Sequence, residues 1–295
     1  MKTYLSDFFQ EFSYPQEARA AFAQAYDSIL SDSGLKSGFE ALLQRYQDDK
    51  QMDYGQAFKD MAEISSGAGI HEYTGNFLLL VCYSRTLREY YREAGIAEEI
   101  WHTSMCDLKW KLDECKCVYG IWGTFVPGWY DGFFDMTRFG FRKLQFEIRR
   151  FRYHYEKNGV ILNPETPVLN THIPRTGERL DPESLRESYE LGAAFFRERF
   201  QVDPVVFVCN SWLLYPRNKE VLSPDSNLYS FLSAYDILKS EEYDDYSEVW
   251  RLFDVNYDGN VDHLPQDTSL RRAYADWIRK GVKTGDAYGV SVWNG

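Results

Sequence analysis

Glu147 has the side-chain chemistry of a general base. It lies in FRKLQFEIRRF (residues 141 to 151), where apolar and polar residues alternate, and this alternation predicts a strand with one dry face and one polar face. A carboxylate on such a face can remove a proton from an amine or a hydroxyl. An ion pair with Lys143 or Arg149 accounts for the same carboxylate equally well, so the sequence leaves both roles open.

His172 stands near the end of TPVLNTHIP (residues 166 to 174), which indicates the next strand. Its imidazole could act as a base, and it could activate Cys209 as a nucleophile if the two strands are neighbours. Cys209 lies in PVVFVCNSWLL, whose continuous apolar character predicts a buried central strand. Nothing local activates this thiol. A small buried apolar residue is therefore the alternative for Cys209, and a structural hydrogen-bonding residue is the alternative for His172.

The turn RTGERLDP (residues 175 to 182) has the features of an anion site. It leads from a strand through Gly177 into a helix that starts at Asp181, a preferred N-cap, with Pro182 in the first turn. The first backbone N–H groups of a helix attract anions such as a pyrophosphate, although many such turns bind nothing. Pro182 has no N–H, so the predicted binding residues are Arg175, Thr176, Gly177, Arg179, Glu183 and Ser184.

The elements that position these residues change character along the chain. Up to about residue 120, apolar residues recur at helical spacing in four or five segments, and a Gly/Pro/Trp-rich joint follows at residues 120 to 132. Beyond it, predicted strands (FRKLQFEIRRF, TPVLNTHIP, PVVFVCNSWLL, SEVWRLF, DAYGVSVW) alternate with predicted helices (from Asp181, SNLYSFLSAYDIL, TSLRRAYADWIRK). This order indicates an α/β (α+β) class with a mixed sheet flanked by helices. We expect a mainly helical domain over residues 1 to 156, ending in a strand, and a second domain over residues 157 to 295.

Composition limits the partners. The net charge of −12 argues against nucleic acid, and no apolar window is long enough to span a membrane. MKTYLSDFFQEF lacks the pattern of a signal peptide, so a cytoplasmic location is expected. The five cysteines suggest reduced thiols, and their spacing with histidine gives no zinc pattern. DVNYDGNVD (residues 254 to 262) resembles the start of a calcium loop, but Pro265 occupies the place of its last ligand, so no metal is expected.

Four separated segments carry a family resemblance. KLQFE (143 to 147), THIPRTGERLDPESLRESYELGAAFF (171 to 196), FVCNSWLLYP (207 to 216) and LPQDTSLRRAYADWIRKG (264 to 281) together resemble a bacterial acyltransferase-domain family. Its members pair an N-terminal, largely helical N-acyltransferase domain with a GNAT-like C-terminal domain. The resemblance implies a twisted sheet with a gap between two strands that accepts acyl-coenzyme A, for example acetyl-CoA. It also places the coenzyme's pyrophosphate at Arg175 to Ser184, although the superfamily's usual glycine-rich loop is reduced there to Gly177.

The activity implied by this resemblance is direct acyl transfer to a small amine or hydroxyl acceptor. Glu147 or His172 is the candidate base, Tyr215 the candidate acid, and Ser211 or Cys209 an alternate. A second interpretation is a non-catalytic GNAT-like protein that senses an acyl-CoA or metabolite, or serves as a scaffold. The reduced phosphate loop favours the second interpretation, and the polar strand face with Glu147 favours the first. A protein partner is left open.

Overall fold

The computed structural model describes residues 1–157 and 159–293 and divides the chain into two compact units, Met1–Gly140 and Phe141–Gly295. This boundary falls earlier than the one expected after residue 156. The difference has a clear cause: the strand Leu144–Arg150 pairs along its whole length with Pro167–His172, so it belongs to the sheet of the second unit. A strand is placed by its hydrogen-bonding partner, which the sequence alone does not reveal.

The first unit is helical. Within its described residues, six long helices follow one another: α1 (Lys2–Glu11), α2 (Gln16–Ser31), α3 (Ser33–Asp48), α4 (Tyr54–Gly67), α5 (Glu72–Glu93) and α6 (Glu98–Tyr119). A short helix, α7 (Asp131–Phe134), comes after the Gly/Pro/Trp-rich joint. The apolar run of α5 is buried without interruption from Gly75 to Ser84, so α5 forms the centre of this unit. The predicted helical character is confirmed.

The second unit is built on a mixed sheet. Its elements are β1 (Arg138–Phe141, which contains the boundary), β2 (Leu144–Arg150), β3 (Tyr155–Lys157), β4 (Val160–Leu162), β5 (Pro167–His172), α8 (Pro182–Phe200), β6 (Val206–Ser211), α9 (Asn227–Ser233), β7 (Asp236–Glu242), α10 (Trp250–Phe253), α11 (Ser269–Arg279) and β8 (Gly285–Val292). The strands from β2 onward lie side by side in the order β2-β5-β6-β8-β7, and β3 with β4 forms a separate hairpin. The predicted α/β class with a mixed sheet is therefore confirmed.

The parallel pair β5 and β6 separates soon after it forms. Helix α8 connects the two strands, and they are in register only at Leu169 with Phe207 and at Asn170 with Val208. The residues beyond, including His172 on β5 and Asn210 on β6, are not in register with each other in the described sheet. The other pairings, β2 with β5, β6 with β8 and β7 with β8, are antiparallel and longer. A gap therefore opens at the carboxyl ends of β5 and β6.

Both faces of the sheet are covered. On one face α8 approaches β2 closely: a Cβ at Gly192 would come within 2.4 Å of the Phe146 ring. On the other face, Phe151 and the β3–β4 hairpin form an apolar cluster with Val206 and Val290. Hydrogen bonds to Asp236 on β7 fix this hairpin: the Tyr155 hydroxyl donates at 2.8 Å, and the Lys157 ammonium donates to both carboxylate oxygens at 2.6 and 2.8 Å. The predicted polar side of β2 is thus largely enclosed.

Two predicted elements are wrong. SNLYSFLSAYDIL begins as α9 but passes into β7 at Asp236, and SEVWRLF is a short helical segment that includes α10. Most of β7 is exposed, so the strand carries few apolar residues. Two of these, Ile237 and Leu238, continue the helical spacing of the apolar residues in α9, and the sequence therefore predicted one longer helix. The predicted strands β2, β5, β6 and β8 and the predicted helices α8 and α11 are confirmed. Asp181 caps α8 through the amide of Ser184, as its type predicts.

None of the helices in residues 1–157 and 159–293 combines the length and the apolar character needed to cross a membrane.

Candidate active site

Glu147 and His172 meet on the same face of the sheet. The Nε2 atom of His172 lies 2.9 Å from Oε2 of Glu147, a distance that fits a strong hydrogen bond between an imidazole N–H and a carboxylate. The Glu147 side chain is 1% exposed and the His172 side chain 13% exposed. The carboxylate is therefore shielded from water, while the imidazole keeps a limited opening. This pair has the composition of a base with an orienting carboxylate.

The register of β2 and β5 creates this contact. Glu147 lies opposite Asn170, and His172 lies opposite Gln145, one step further along the same face. Side chains that are diagonal neighbours across an antiparallel pair are within reach when they are long, as Glu and His are. A shift of one residue in either strand would turn one of the two side chains to the α8 face. The pairing is therefore a consequence of strand register.

Two further polar side chains contact the pair. Nη2 of Arg149 lies 2.8 Å from Oε1 of Glu147, so the buried carboxylate has a cation on one oxygen and the imidazole on the other. The side-chain amide of Asn170 lies 3.2 Å from Nε2 of His172. A buried carboxylate needs such compensation, because its charge loses the stabilisation of water. The predicted ion pair of Glu147 with Arg149 is thus a contact that it makes, while its role as a base stays a prediction.

A polar cavity of about 830 Å³ adjoins the pair. Arg149 and Asn170, which contact Glu147 and His172, both line it. Its remaining walls come from the segment after β2, from the end of β6, and from β7 and β8. The lining residues include Arg149, Arg150, Arg152, Tyr153, Asn170, Asn210, Lys239, Glu241, Asp286 and Tyr288. The volume suits a small molecule, and the lining suits a charged one.

The other predicted catalytic residues lie elsewhere. Cys209 is buried in an apolar cluster with Leu214 and Tyr235, and burial raises the pKa of its thiol to about 12. The Ser211 hydroxyl accepts a hydrogen bond from the Leu213 amide and so caps a short 3₁₀ turn. The register places Cys209 on the face opposite Asn210, so the His172–Cys209 pair considered from the sequence has no geometric support.

Tyr215 follows the turn after β6. Its hydroxyl donates to Oε1 of Glu242 at 3.0 Å, and burial together with this hydrogen bond raises the pKa of the phenol. Its ring lies close to Gly285 at the start of β8. Tyr215 is not among the residues that line the cavity in the described part of the chain. Its role as an acid stays a prediction, and it would require the bond to Glu242 to break.

The predicted phosphate turn is already partly occupied by side chains of the protein. Gly177 has φ +76°, which explains why glycine stands there. The Asp181 carboxylate accepts from the Ser184 amide at 2.9 Å, and Lys143 donates to the same carboxyl at 2.8 Å. The hydrogen bond from Lys143 contributes most, followed by the one from Ser184, and together they hold the pKa of Asp181 far below its usual value. Ser184, predicted as a free donor, is therefore not free.

The two arginines of this turn differ. Arg175 is 2.5 Å from Oδ2 of Asp254, which also binds Arg271, so its charge is used in a local network. No carboxylate within residues 1–157 and 159–293 pairs with Arg179, whose backbone carbonyl accepts from the Lys143 ammonium. Thr176 accepts from the amide of Glu178 and shapes the turn. Arg179 and the Glu183 amide are thus better placed for an anion than Arg175 and Ser184.

The sequence analysis missed most of the cavity wall. Asn170 could have been found, because it stands two residues before His172 and thus on the same face of one strand. Tyr288 and Asp286 stand on the last predicted strand, but their approach to the cavity depends on the strand order. Burial raises the pKa of the Asp286 carboxyl, which is common for acidic groups in functional clefts.

The Asx-rich segment at residues 254 to 262 forms turns. The Asp258 carboxylate accepts from the Asn260 amide, and the Asn260 side chain accepts from the Asp262 amide. Across residues 1–157 and 159–293, His, Cys, Asp and Glu side chains form no group of three or more that could hold a metal ion.

Comparison with protein families identifies both parts of the chain. The model of the GNAT-like C-terminal domain matches residues 136–291, and the model of the N-acyltransferase N-terminal domain matches residues 3–136. The chain belongs to the GNAT-like C-terminal domain family. The resemblance stated from the sequence is confirmed, and the β5–α8–β6 unit with its separating strands belongs to the GNAT-like domain.

Solved structures share the fold of this GNAT-like protein along nearly its whole length. An acyltransferase in complex with decanoyl-CoA and teicoplanin has a TM-score of 0.72 at 20% identity, over 97% of this chain and 87% of that chain. A mutant acyltransferase in complex with octanoyl-CoA gives 0.72 at 19% identity, over 97% and 87% of the two chains. An acyltransferase in complex with decanoyl-CoA alone gives 0.73 at 20%, over 97% and 86%. No curated protein sequence matches the chain.

Proposed function

We propose that the protein is an acyl-CoA-dependent N-acyltransferase that transfers an acyl group to a small-molecule amine, or to a hydroxyl, by direct attack. The observation that carries this proposal is the contact between His172 and Glu147 at the open end of β5. The family supports the reaction class, since residues 3–136 match an N-acyltransferase N-terminal domain and residues 136–291 a GNAT-like domain. The similar structures described as acyltransferases in complex with octanoyl-CoA or decanoyl-CoA support the co-substrate.

The coenzyme is assigned to the gap between β5 and β6. Backbone N–H and C=O groups beyond the last register pair of the two strands, Asn170 with Val208, can bind the amides of a pantetheine arm, much as an added strand would. Its pyrophosphate then lies near the turn after β5, where Arg179 and the start of α8 supply positive charge. This arrangement brings the thioester toward His172, at the carboxyl end of β5.

The proton transfers follow from the hydrogen bond of the pair. Because Glu147 accepts from Nε2 of His172, the neutral imidazole keeps its basic lone pair on Nδ1. His172 takes a proton from the amine as its nitrogen attacks the thioester carbon. The carbon–sulfur bond then breaks, and the thiolate leaves with a proton from an acid, with Tyr215 as the predicted candidate. Glu147 stabilises the imidazolium and Arg149 balances the carboxylate.

The acyl chain length is a separate part of the proposal. The family resemblance implied acyl-CoA, with acetyl-CoA as the example, whereas the similar structures contain octanoyl and decanoyl chains. We therefore include medium-chain acyl-CoA among the co-substrates to be tested. The acceptor is left at the level of a small molecule with a nucleophilic amine or hydroxyl.

One observation favours a non-catalytic alternative, an acyl-CoA or metabolite sensor. Asp181 places a carboxylate at the start of α8 and occupies the Ser184 amide, where the family resemblance would place a phosphate. An anion at a helix start competes with a second anion. A sensor that binds acyl-CoA weakly and transfers nothing would tolerate this feature.

Two measurements on the purified chain separate these functions. Acetyl-, octanoyl- and decanoyl-CoA should each be tested for a rise in melting temperature, since a ligand that binds only the folded state stabilises it by about 2.7 kcal/mol at a hundred times its Kd. Release of free thiol with a panel of amines then measures transfer. A rise in melting temperature with thiol release supports the enzyme. A rise without release supports the sensor, and the lack of both contradicts the two proposals.

A further inference from the structure

Arg150 and Arg152 place two guanidinium groups on one wall of the polar cavity. Both line it, and both are exposed. Nη1 of Arg150 donates to the backbone carbonyl of Glu165 at 3.1 Å, which holds the side chain without neutralising it. In residues 1–157 and 159–293, no carboxylate lies within ion-pair distance of Arg150 or Arg152. The other cations of this cavity differ, because Arg149 is paired with Glu147 and Lys239 with Glu241.

Arg152 lines the cavity together with Tyr288 on β8. Burial and the neighbouring Tyr153 raise the pKa of the Tyr288 phenol, while the charge of Arg152 lowers it. Tyr153 and Tyr288 also stand ring to ring, with centroids 5.1 Å apart. Arg152 thus lines the same cavity as an aromatic wall made of Tyr153 and Tyr288. Uncompensated cations in a polar cavity are typical of sites that bind an anion.

The position of these arginines separates them from the coenzyme phosphates. Arg150 lies opposite Pro167 at the start of β5, whereas the turn assigned to the pyrophosphate begins after His172 at its end. Five residue steps of about 3.3 Å put roughly 17 Å between these two ends of the strand. The arginines therefore lie beyond His172 on the side away from the phosphates, where the acceptor must be.

We propose that Arg150 and Arg152 bind an oxyanion group of the acceptor, a carboxylate or a phosphate. The inference rests on the proposed function, because it assigns the acceptor side of that reaction. Guanidinium groups bind both oxyanions through paired N–H donors. The Arg150 side chain is held at the Glu165 carbonyl, near the start of β5, so the anion and the attacking amine are separated by on the order of 10 Å or more along the strand. An acceptor with several bonds between amine and anion, such as a short peptide with a free carboxylate, fits this spacing better than an α-amino acid does.

Matched acceptors test the inference. Triglycine, its C-terminal amide and an aminoalkyl phosphate of similar length are compared by thiol release with the acyl-CoA that the chain uses. We expect kcat/KM to be at least about tenfold higher for triglycine than for its amide, the effect of one charged hydrogen-bonded contact. The phosphate compound distinguishes the two oxyanions. In Arg150→Gln/Arg152→Gln the preference disappears through a higher KM, with kcat nearly unchanged and acyl-CoA affinity retained.

The control variant is Arg186→Gln, because Arg186 is an exposed arginine of α8 paired with Glu190. It should keep the wild-type preference. Equal rates for triglycine and its amide with the wild-type protein overturn the inference and leave the acyltransferase intact. A loss of acyl-CoA affinity in the double variant also overturns it, because the arginines would then bind the coenzyme. If no acceptor causes release of thiol from acyl-CoA, the proposed function is wrong. In that case the affinities of the protein for triglycine and for its amide are measured by calorimetry, and equal affinities show that the proposed anion site is wrong as well.

Discussion

The substitution Glu147→Gln tests the catalytic pair most sharply, because it removes a charge and keeps the shape. In the wild-type protein, Glu147 contacts His172 at 2.9 Å and is 1% exposed. When His172 takes a proton, the new positive charge lies about 4 Å from the charge of the carboxylate. At an effective dielectric constant of about 20 this attraction is about 4 kcal/mol. Arg149 also contacts the carboxylate and weakens its attraction for His172. We therefore expect the substitution to remove about 2 to 4 kcal/mol of transition-state stabilisation.

This energy predicts a fall of about 30- to 1,000-fold in kcat/KM, since 1.36 kcal/mol corresponds to a factor of ten. His172→Ala should lose about 10²- to 10⁴-fold, the usual contribution of a general base. The double variant should be no slower than His172→Ala, because the two residues act as one unit. The assay is acceptor-dependent thiol release at saturating acyl-CoA.

A lower activity of Glu147→Gln must be distinguished from a loss of folding stability, because the substitution replaces a buried carboxylate with an amide. Glu156→Gln is the matched control: Glu156 is an exposed glutamate on β3 of the same unit. The acyl-CoA affinity and the melting temperature of each variant show whether the fold survives. A folded Glu147→Gln protein with activity within about threefold of wild type would refute the assignment of Glu147 to the proton transfer. His172 would then remain as the candidate base without a contribution from Glu147.

Three further substitutions test other contacts. Cys209→Ala should leave the acyl-transfer rate unchanged, since burial raises the thiol pKa to about 12 and keeps it inert; a large loss in kcat would contradict this. Gly192→Ala should lower the free energy of unfolding by about 1 to 3 kcal/mol, because the new methyl group meets Phe146 at 2.4 Å; denaturant titration measures it. The bond from Lys157 lowers the pKa of Asp236, so its contribution to stability is present above about pH 4 and is lost as the pH falls further. Wild type and Asp236→Asn should therefore differ in melting temperature at neutral pH and converge in acid, and a constant difference would refute the assignment.

The secondary-structure elements that could be predicted from the sequence are those with a clear local pattern. The period of two in residues 143 to 149 placed β2, and the pair Asp181–Pro182 placed the start of α8. Periodicity failed at β7, where an exposed strand follows a helix without a break in apolar spacing, and at the short helix α10. These errors share one cause, since tertiary pairing decides the state of a short segment whose own pattern is ambiguous.

The site depended on information that one sequence does not contain. Glu147 and His172 were recognised as single candidates by residue type and position. Their contact requires the antiparallel register of β2 and β5, which is set by hydrogen bonding between distant segments. The same holds for Arg152 and Tyr288, which are far apart in the chain and approach one cavity only through the sheet order. Candidate residues could thus be predicted from their type and local position, whereas the contacts between residues distant in the chain could not.

The central claim is that acyl-CoA binds in the gap between β5 and β6 and presents its thioester to His172. A crystal structure of the chain with a non-hydrolysable thioether analogue of octanoyl-CoA tests it most directly. We expect the pantetheine arm to lie between the carboxyl ends of β5 and β6, with the pyrophosphate near Arg179 and the thioether beside His172. A coenzyme that binds elsewhere on the chain, or one whose sulfur lies far from His172, would contradict it.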